Sequence, residues 1–453
     1  MNLPRANLKW RRALVYGLGA SGIAASRLLR AEGVEVIGVD CRDLSSLEIG
    51  VLKRDEGVVL HLGVEPEALP GDVDGVVVSP GVPMDRPLLE AARQLGIPVI
   101  AEVELGFIYA NGPVIGITGS NGKSTTTAMT GELLEGAGVP AEVCGNIGVP
   151  LSAVVGRADR PVYVTELSSF QLESIDTFKP SAAALLNVSQ DHLDRHQDEP
   201  TYFAAKSAIF RNQGSGDVAV LNADDARVAG LEVSSRRRLF SRHDSVDDGC
   251  FLDGDLIVEV DPDQGRQTLF RRQDVGLAGP HNLENAMAAA LLSRAAGANP
   301  KSFASTLARF RGLPHRLEQV QELRGVTWYD DSKATNFAAT LKSLEGFSDG
   351  TVHLILGGRN KGGDPSVLAE MIGRKVRCLY LVGEAAEEMG AVFGGTVPTE
   401  MARDLTRAVG LAAGQAQAGE IVLLSPACAS FDQYRNFSER GIHFQDLTRA
   451  LNG

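Results

Sequence analysis

Short runs of apolar residues, each followed by glycine, recur three times along the chain. They begin at residues 13, 113 and 351, and a further apolar run at 326–329 precedes the third. Consecutive apolar positions are typical of parallel strands that are buried on both faces. Stretches rich in Ala, Leu and Glu lie between them, at 21–32, 85–95, 124–137 and 283–296. This alternation of strands and helices predicts α/β domains.

The same pattern predicts further strands at 34–40, 75–79, 162–166, 182–188, 218–222, 378–382 and 420–425. The stretch 236–275 differs, because short β-prone pieces alternate there with turns such as Asp253-Gly254. That alternation predicts hairpins in an antiparallel patch.

The length of 453 residues indicates several domains, since a domain takes roughly 150 residues. We place the boundaries near 101, before the strand that leads to the second glycine loop, and near 312, at a short segment with glycine and proline. The predicted domains are 1–101, 102–312 and 313–453.

The charge balance narrows the class of protein. Asp and Glu number 57 against 44 for Lys and Arg, which gives a net charge of −13. Such a chain is not expected to bind nucleic acid over a broad surface or to dock on an anionic membrane. No apolar run approaches the roughly 18 residues of a membrane span, so no membrane insertion is expected. The five cysteines lie far apart, which favours a reducing cytoplasm over a disulfide framework.

The first glycine turn, Gly17-Leu-Gly-Ala-Ser-Gly22, fits the pattern G-x-G-x-x-G between a strand and a helix. Asp40 ends the next predicted strand. Glycines let the backbone approach a phosphate, and the helix start supplies N–H donors and the positive end of the helix dipole. The turn predicts a nucleotide site without selecting the nucleotide. NAD is the default for this motif alone, and a tight turn without a ligand is the alternative.

The loop Thr118-Gly-Ser-Asn-Gly-Lys-Ser-Thr125 is a stronger signal, because it follows an apolar strand and precedes a helix. Backbone N–H groups of such a loop form a nest for an anion, Lys123 can reach terminal phosphates, and Ser124 can ligate Mg²⁺. Ile117 stands where the usual pattern has its first glycine. ATP binding is predicted, against the alternative of a chance G-K-S at a helix start.

Two polar clusters follow later strands. Glu166 ends the strand 162–166, where a carboxylate can hold Mg²⁺ directly or through water, or can serve as a cap or ion-pair partner. The segment 187–196 includes His192 and His196, which suits a metal or substrate site. The spacing of the two histidines also matches a zinc pair on a helix, but the glutamate of zincins is missing, so zinc is disfavoured.

Together these motifs resemble the Mur ligase family of ATP-dependent, amide-bond-forming enzymes of peptidoglycan synthesis. The resemblance covers essentially the whole chain, and the loop 118–125 is similar to the family's own variant of the phosphate loop, which accounts for Ile117. Matching segments follow in order at 145–148, 166–171, 187–196, 279–286 and 313–318. The segments 330–336, 356–361 and 424–437 resemble the family's D-glutamate-adding members, and the Asp-Asn-Pro-Arg motif of the diaminopimelate- or lysine-adding members does not occur.

The resemblance implies a three-domain α/β fold. Its domains are a Rossmann-like N-terminal domain for a UDP-sugar, a central P-loop-type ATP-binding domain with a mostly parallel sheet, and a Rossmann-like C-terminal domain for an amino acid. The implied substrates are UDP-N-acetylmuramoyl-L-alanine, D-glutamate and ATP. Two Mg²⁺ ions are the implied cofactor, and the implied location is the cytoplasm. The reaction would pass through an acyl phosphate and a tetrahedral intermediate. A monomer is expected, because no apolar interface is evident in the sequence.

The resemblance also implies roles for residues at matching positions. Lys123 would stabilise the transferring phosphate, and Lys206 matches the family's carbamylated lysine. Ser124 and Glu166 would hold one Mg²⁺, with His192 and the carbamylated Lys206 at the second. Without the resemblance, Lys206 would be interpreted as a lysine on a helix surface.

The implied ligand contacts fall into three sets. ATP would contact Gly119, Ser120, Asn121, Gly122, Lys123, Ser124, Thr125, Asn282, Asn285, Arg316 and Asp331. The UDP-sugar would contact Leu18, Gly19, Ala20, Ser21, Asp40, Arg42, Asn146, Ser168 and Gln171. D-Glutamate would contact Lys333, Thr335, Lys361, Ser430 and Phe437, although a lone aromatic such as Phe437 is more often part of a core.

Three alternatives remain on the residues alone. The nearest is another Mur ligase or a folylpolyglutamate synthase, which shares the ATP loop but lacks a domain like 1–101. An NAD-dependent oxidoreductase would use the first glycine turn and leave the loop 118–125 unexplained. A non-catalytic nucleotide-binding regulator would not need Lys123, Glu166, His192 and Lys206 together.

Overall fold

A computed structural model describes residues 8–43, 47, 49, 52, 55–66, 68–156, 159–189, 198–277, 279–360 and 363–451. His192 and Lys361, which were predicted as site residues, lie outside the described residues. The chain divides into two compact units, Met1–Phe310 and Arg311–Gly453. Among the helices of the described ranges, none combines the length and apolar character that crossing a membrane requires.

The first unit contains a five-stranded parallel sheet of order β3-β2-β1-β4-β5. Its strands are β1 Arg12–Tyr16, β2 Glu35–Asp40, β3 Val58–Leu62, β4 Gly75–Val78 and β5 Val99–Ala101. The helices that accompany it are α1 Ala20–Ala31, α2 Pro87–Gln94 and α3 Glu102–Tyr109. The order 3-2-1-4-5 is that of a dinucleotide-binding sheet, which confirms the predicted Rossmann-like N-terminal fold.

A second, nine-stranded sheet in the same unit has the order β14-β13-β12-β11-β10-β9-β6-β8-β7. Its strands are β6 Val114–Thr118, β7 Ala141–Gly145, β8 Val162–Glu166, β9 Ala182–Leu185, β10 Val218–Asn222, β11 Arg236–Ser241, β12 Gly249–Asp253, β13 Leu256–Asp261 and β14 Gly265–Arg271.

The helices of this part are α4 Lys123–Gly136, α5 Leu151–Val154, α6 Ser169–Leu172, α7 Glu199–Ser207, α8 Ala226–Ala229, α9 Pro280–Ala295 and α10 Phe303–Arg309. Short 3-10 helices lie at Ala208–Phe210, Arg272–Asp274 and Pro300–Ser302. Buried residues of α4 and α9, including Leu133 and Met287, pack together in one apolar core. This core holds the start of α4 against the sheet at the predicted phosphate loop.

The predicted antiparallel patch at 236–275 is wrong in its first part. β11 pairs in parallel with both β10 and β12, and only the pairs β12–β13 and β13–β14 are antiparallel. Gly249 opens β12 with φ 138°, and a Cβ atom there would lie 1.8 Å from the Leu239 carbonyl oxygen. This glycine lets β12 start directly against β11, a long-range contact that a local turn pattern does not encode.

The second unit contains a six-stranded sheet of order β15-β16-β20-β17-β18-β19. Its strands are β15 Glu318–Leu323, β16 Val326–Asp330, β17 Val352–Gly357, β18 Val376–Val382, β19 Thr399–Arg403 and β20 Ile421–Ala427. Its helices are α11 Phe337–Glu345, α12 Ala369–Lys375, α13 Ala386–Phe393, α14 Leu405–Gln415 and α15 Phe437–Ala450, with a 3-10 helix at Pro365–Leu368.

Two apolar cores lie in this second unit, around Leu354 and around Trp328. β15 is antiparallel to β16, and the other pairs are parallel. The expected Rossmann-like C-terminal fold therefore has a mixed sheet with one antiparallel edge strand.

Candidate functional site

The loop between β6 and α4 forms a tight turn that requires glycine. Gly119 and Gly122 have φ values of 156° and 82°, in the region that favours glycine. A Cβ atom on Gly122 would lie 2.3 Å from Oδ1 of Asn285, so a methyl group there would collide with α9. Gly122 precedes α4 and has no side chain to cap it. A helix that starts through such a turn is suited to bind a phosphate with its backbone N–H groups.

Two lysines converge on the Gly119 carbonyl. Nζ of Lys123 donates to the carbonyl oxygens of Gly119 at 2.8 Å and Ser120 at 2.9 Å. Nζ of Lys206 donates to the same Gly119 oxygen at 2.8 Å. Lys206 is only 1% exposed, and its Nζ lies 4.4 Å from the Tyr202 ring centroid. Interpreting Lys206 as a helix-surface lysine is therefore wrong.

The segment after β9 is hydrogen-bonded to the phosphate loop through Asn187 and Ser189. The Ser120 hydroxyl accepts from the Ser189 N–H at 3.0 Å. The Asn121 N–H donates to Oδ1 of Asn187 at 2.8 Å. The polar segment that begins at Asn187 thus lies directly beside the loop. The predicted ligand His192 follows in the part of the chain outside the described residues.

Glu166 carries a buried carboxylate oxygen that fits a metal ion. The residue ends β8 and is 3% exposed, and its Oε1 accepts from Nδ2 of Asn146 at 2.9 Å. Its Oε2 is buried and has no hydrogen-bond partner among the described residues. A buried carboxylate oxygen without a partner is costly, whereas Mg²⁺ takes such oxygens as ligands. The Ser124 hydroxyl, at the start of α4, is of the same ligand class.

α9 brings two predicted ATP residues to the phosphate loop. Asn285 donates from Nδ2 to Oδ1 of Asn282 at 3.2 Å, and its own Oδ1 accepts from the Thr126 hydroxyl at 3.2 Å. Both asparagines lie on the first two turns of α9, and Thr126 lies on the first turn of α4. The tertiary fold thus joins residues that are far apart in the sequence.

Asp40 braces the first glycine turn. Its Oδ2 accepts from the Leu18 N–H at 2.7 Å and from Nη2 of Arg42 at 2.7 Å, and its Oδ1 accepts from Arg42 N and Nε at 2.9 Å. Burial raises the pKa of Asp40, but the bonds from Arg42 and Leu18 outweigh burial and hold this pKa below its usual value. Both oxygens are already used within the first unit, which disfavours the NAD interpretation, where the acid would bind ribose hydroxyls.

Ser168 and Gln171 bond to one another at the start of α6. The Ser168 hydroxyl accepts from the Gln171 N–H at 3.3 Å, and Oε1 of Gln171 accepts from the Ser168 N–H at 2.9 Å. This reciprocal arrangement is a capping box. It fixes the backbone immediately after Glu166, and the proposed contact of both residues with the UDP-sugar stays a prediction.

Several predicted D-glutamate residues lie at the carboxyl end of the third sheet. Nζ of Lys333 is 5.8 Å from the Phe437 ring centroid. Ser430 is 2% exposed and follows β20, while Thr335 follows β16. A lysine beside a half-buried aromatic ring and a buried hydroxyl can bind a carboxylate-bearing ligand.

Asp331 is buried beneath the segment that carries Arg316. Its carboxylate accepts from the hydroxyls of Ser343 at 2.6 Å and Ser425 at 2.8 Å and from the Leu317 N–H at 3.2 Å. Burial raises the pKa of Asp331 to about 6, against the lowering effect of these bonds. These contacts identify Asp331 as a brace for the Arg316 segment, and its proposed contact with ATP stays a prediction.

Arg440, which the sequence motifs do not predict as a site residue, joins two loops of the candidate D-glutamate site. Arg440 is 3% exposed, donates from Nε to the Ser332 hydroxyl at 2.9 Å, and donates from Nη2 to the Cys428 carbonyl at 3.2 Å. Burial lowers its pKa to about 10. The spacing of four residues between Arg440 and Phe444 could have indicated that Arg440 lies on the buried face of α15.

Family models match three consecutive parts of the chain. Residues 11–101 match the Mur ligase MurD-like N-terminal domain, residues 117–293 the Mur ligase middle domain, and residues 315–428 the Mur ligase glutamate ligase domain. These matches cover most of the chain and follow the order of the three sheets.

Curated relatives match along nearly the whole length. A UDP-N-acetylmuramoylalanine--D-glutamate ligase of Koribacter versatilis is 42% identical over 98% of this chain and 98% of its own. A ligase of the same name from Acidobacterium capsulatum is 41% identical with the same coverage. The crystal structure of the UDP-N-acetylmuramate-alanine ligase MurC from Thermotoga maritima is similar in fold, with a TM-score of 0.62 at 17% identity, over 98% of this chain and 100% of that one.

Proposed function

Because the chain belongs to the Mur ligase family, we propose that it joins D-glutamate to UDP-N-acetylmuramoyl-L-alanine in an ATP-dependent step of peptidoglycan precursor synthesis. The observation that carries the proposal is the identity of 42% over 98% of both chains with a ligase of that name. The phosphate loop with its two lysines supports the ATP-dependent part of the proposal, and the Lys333–Phe437 pair is compatible with an amino-acid site.

We assign each domain one main ligand. Residues 1–101 bind the UDP-sugar, residues 102–312 bind ATP, and residues 313–453 bind D-glutamate. In addition, Asn146, Ser168 and Gln171 of the central domain contact the UDP-sugar, and Arg316 and Asp331 of the C-terminal domain contact ATP. The enzyme acts as a monomer in the cytoplasm.

The first step forms an acyl phosphate. An oxygen of the alanyl carboxylate attacks the γ-phosphorus of ATP, the bond to the bridging oxygen breaks, and ADP leaves. Two anions must approach one another, so donors and cations have to concentrate at the reacting phosphate. Lys123 and the N–H groups of Gly122 and Ser124 supply these donors.

The second step forms the amide. The neutral amine of D-glutamate attacks the acyl carbonyl, and the tetrahedral intermediate collapses with loss of inorganic phosphate. His192 or a phosphate oxygen takes the amine proton. Lys333, Thr335, Lys361, Ser430 and Phe437 form the D-glutamate pocket, in which two lysines match the two carboxylates of the amino acid.

Ser124 and Glu166 hold one Mg²⁺, and the buried Oε2 of Glu166 supports this assignment. When bound, Mg²⁺ withdraws charge from the phosphate oxygens and thereby eases attack by a carboxylate. His192 and Lys206 belong to the second Mg²⁺ site, which requires Lys206 to carry an anionic group.

Carbamylation of Lys206 supplies that group. The neutral amine adds to CO₂ and loses one proton, which leaves a carbamate whose single negative charge is shared by two oxygens. Burial of Lys206 supports this reaction, because an ammonium group is costly to bury and the neutral amine is the reactive form.

The activity is tested by ADP release from the full-length protein with ATP and Mg²⁺. We expect release only when UDP-N-acetylmuramoyl-L-alanine and D-glutamate are both present, with a product of the mass of their amide. L-Glutamate in place of D-glutamate is the matched control. Equal activity with L-glutamate, or activity that requires a folate in place of the UDP-sugar, would overturn the proposal.

A further inference from the structure

We propose that His315 is a positioning residue that holds two substrate-binding residues in register, the ATP-contacting Arg316 and the D-glutamate-contacting Lys333. The roles of Arg316 and Lys333 rest on the proposed function. The role of His315 follows from its contacts, all of which lie within the second unit.

The backbone on both sides of Arg316 adopts an unfavourable conformation. His315 has φ 62° and Leu317 has φ 44°, both in the left-handed region. Residues with a side chain pay roughly 1 kcal/mol or more for that conformation, so surrounding contacts must maintain it. The His315 N–H donates to Oε2 of Glu318 at 2.9 Å, and the Leu317 N–H donates to Oδ1 of Asp331 at 3.2 Å. Arg316 is thus presented from a turn that is held at both ends.

The His315 side chain locks this turn to the rest of the unit. Its Nδ1 lies 2.7 Å from Oδ2 of Asp330 and its Nε2 lies 3.0 Å from the Ser438 hydroxyl. With the proton on Nδ1, the ring donates to Asp330 and accepts from Ser438. His315 is 6% exposed and Asp330 is fully buried, so loss of the ring would leave a buried carboxylate with one donor fewer.

α15 is shaped to receive the ring. A Cβ atom on Gly441 would lie 2.1 Å from Nδ1 of His315, so only glycine lets the helix pack there. The Phe437 ring stands edge-on to the His315 ring, with centroids 6.3 Å apart. Gly441 and Phe437, which both belong to α15, therefore pack against the ring.

The backbone of His315 also reaches the amino-acid side of the site. The Lys333 N–H donates to the His315 carbonyl at 3.0 Å. Lys333 in turn places its Nζ 5.8 Å from the Phe437 ring centroid. One buried residue therefore sets the backbone next to Arg316 and the backbone of Lys333.

Two other interpretations of this cluster are weaker. The order Ser438, His315, Asp330 resembles a nucleophilic triad, and His315, Glu318 and Asp330 offer ligand atoms within 4.8 Å of one another. However, Nε2 of Gln445 already donates to Glu318 Oε2 at 3.0 Å and to Asp330 Oδ2 at 2.9 Å. The carboxylate oxygens of Glu318 and Asp330 therefore already hold the turn and the ring through hydrogen bonds. This bonding favours a positioning role over a nucleophilic triad or a metal site.

The test compares His315→Ala and His315→Asn with His353→Asn. Asparagine at 315 can donate its amide N–H to Asp330 and tolerates the left-handed backbone, so it is the conservative variant. His353 is a matched control, because it is 2% exposed and is bonded to the Tyr380 hydroxyl and Glu420, away from the turn.

We expect His315→Ala to raise the KM for ATP and the KM for D-glutamate by about tenfold to a hundredfold. The KM for the UDP-sugar should change little, because its proposed contacts lie in the first unit. His315→Asn should recover most of the loss, and His353→Asn should leave all three KM values near those of the unchanged protein. Equal changes in all three KM values, or an equal effect of His353→Asn, would overturn the proposal.

A second measurement does not depend on activity. Amide hydrogen exchange at Leu317 and Lys333 should be faster in His315→Ala than in the unchanged protein, and unaffected in His353→Asn. Unchanged exchange at both amides would refute the positioning role even if the enzyme ligates D-glutamate. If exchange responds as expected but the unchanged protein shows no D-glutamate-dependent ADP release, the proposed function fails while the role of His315 in the turn stands.

Discussion

At the scale of single residues, burial changes the chemistry that a side chain can perform. Lys206 and Lys375 are both nearly buried lysines that donate to a backbone carbonyl, of Gly119 and of Phe347 respectively. Lys375 also pairs with Asp349 at 2.6 Å. Lys206 instead lies at the phosphate loop, beside Lys123. The two lysines therefore form a natural comparison for the carbamate proposal.

Replacement of Lys206 by Ala should abolish most of the ligation activity, because the proposed carbamate and its metal contacts disappear. Short carboxylic acids added to this variant should restore part of the activity by placing a free carboxylate in the vacated space. The measurement is ADP release as a function of acid concentration. Lys375→Ala is the control and should retain activity without any response to acid. A folded Lys206→Ala protein that no acid rescues would contradict carbamylation.

Asp331 should make stability fall as the pH rises. Burial raises its folded-state pKa to about 6, so its stabilising contribution is fully present below the ordinary carboxyl pKa and is lost as pH rises through about 6. Relative to Asp331→Asn, the wild-type free energy of unfolding should drop by about 2 to 3 kcal/mol between pH 4 and pH 8. Denaturant unfolding at several pH values measures this difference.

Asp349→Asn provides a control of opposite sign. Its bond from Lys375 holds the pKa of Asp349 below the usual range, so the wild type should gain stability relative to this variant as pH rises through that range. If the difference in free energy of unfolding between the wild type and Asp331→Asn does not change across the same pH values, burial does not disfavour the ionised form of Asp331.

At the level of secondary-structure elements, the phosphate loop depends on Gly122 both for its backbone conformation and for its contact with α9. Gly122 has φ 82°, and its missing side chain makes room for Asn285 of α9. Gly138, after the other end of α4, has φ 78° but nothing within 4 Å of the position of its Cβ. The two glycines thus share a backbone conformation and differ in what surrounds them.

Gly122→Ala should raise the KM for ATP at least about tenfold, because the added methyl group displaces Asn285 or the loop. Gly138→Ala should lower stability by about 1 kcal/mol through its left-handed backbone alone, without a change in the KM for ATP. Steady-state kinetics and thermal unfolding of both variants measure the two effects. Equal KM values in the two variants would mean that the contact with Asn285 is not needed for nucleotide binding.

Strand positions were predicted better than strand partners. The predicted strand at 162–166 is confirmed as β8, and the one at 218–222 as β10. The parallel pairing of β11 with β12 was missed, because the turn pattern between them resembles that of a hairpin. Local periodicity reports the faces that a strand buries, whereas its neighbour is selected by contacts far along the chain.

At the scale of the whole molecule, a net charge of −13 coexists with ligands that are all proposed to be anionic. Local donors explain this contrast, because glycine turns, helix starts and a few lysines and arginines supply positive potential at the proposed binding sites. The acidic balance therefore argues against broad polyanion binding and says little about small nucleotides. In the proposed assignment, each of the three sheets carries one of these local sites.

The α/β class follows from the amino-acid sequence, and so do most strand and helix positions, the two glycine turns and the family to which the chain belongs. These features depend on local periodicity, on backbone freedom at glycine and on short motifs, all of which are readable within a few residues. Only the fold shows that Lys206 is buried beside Gly119, that Asn285 fills the space above Gly122, and that His315 and Arg440 hold the loops of the second unit. Those outcomes depend on residues that are distant in the chain, and burial and hydrogen bonding exist only once the fold has brought them together.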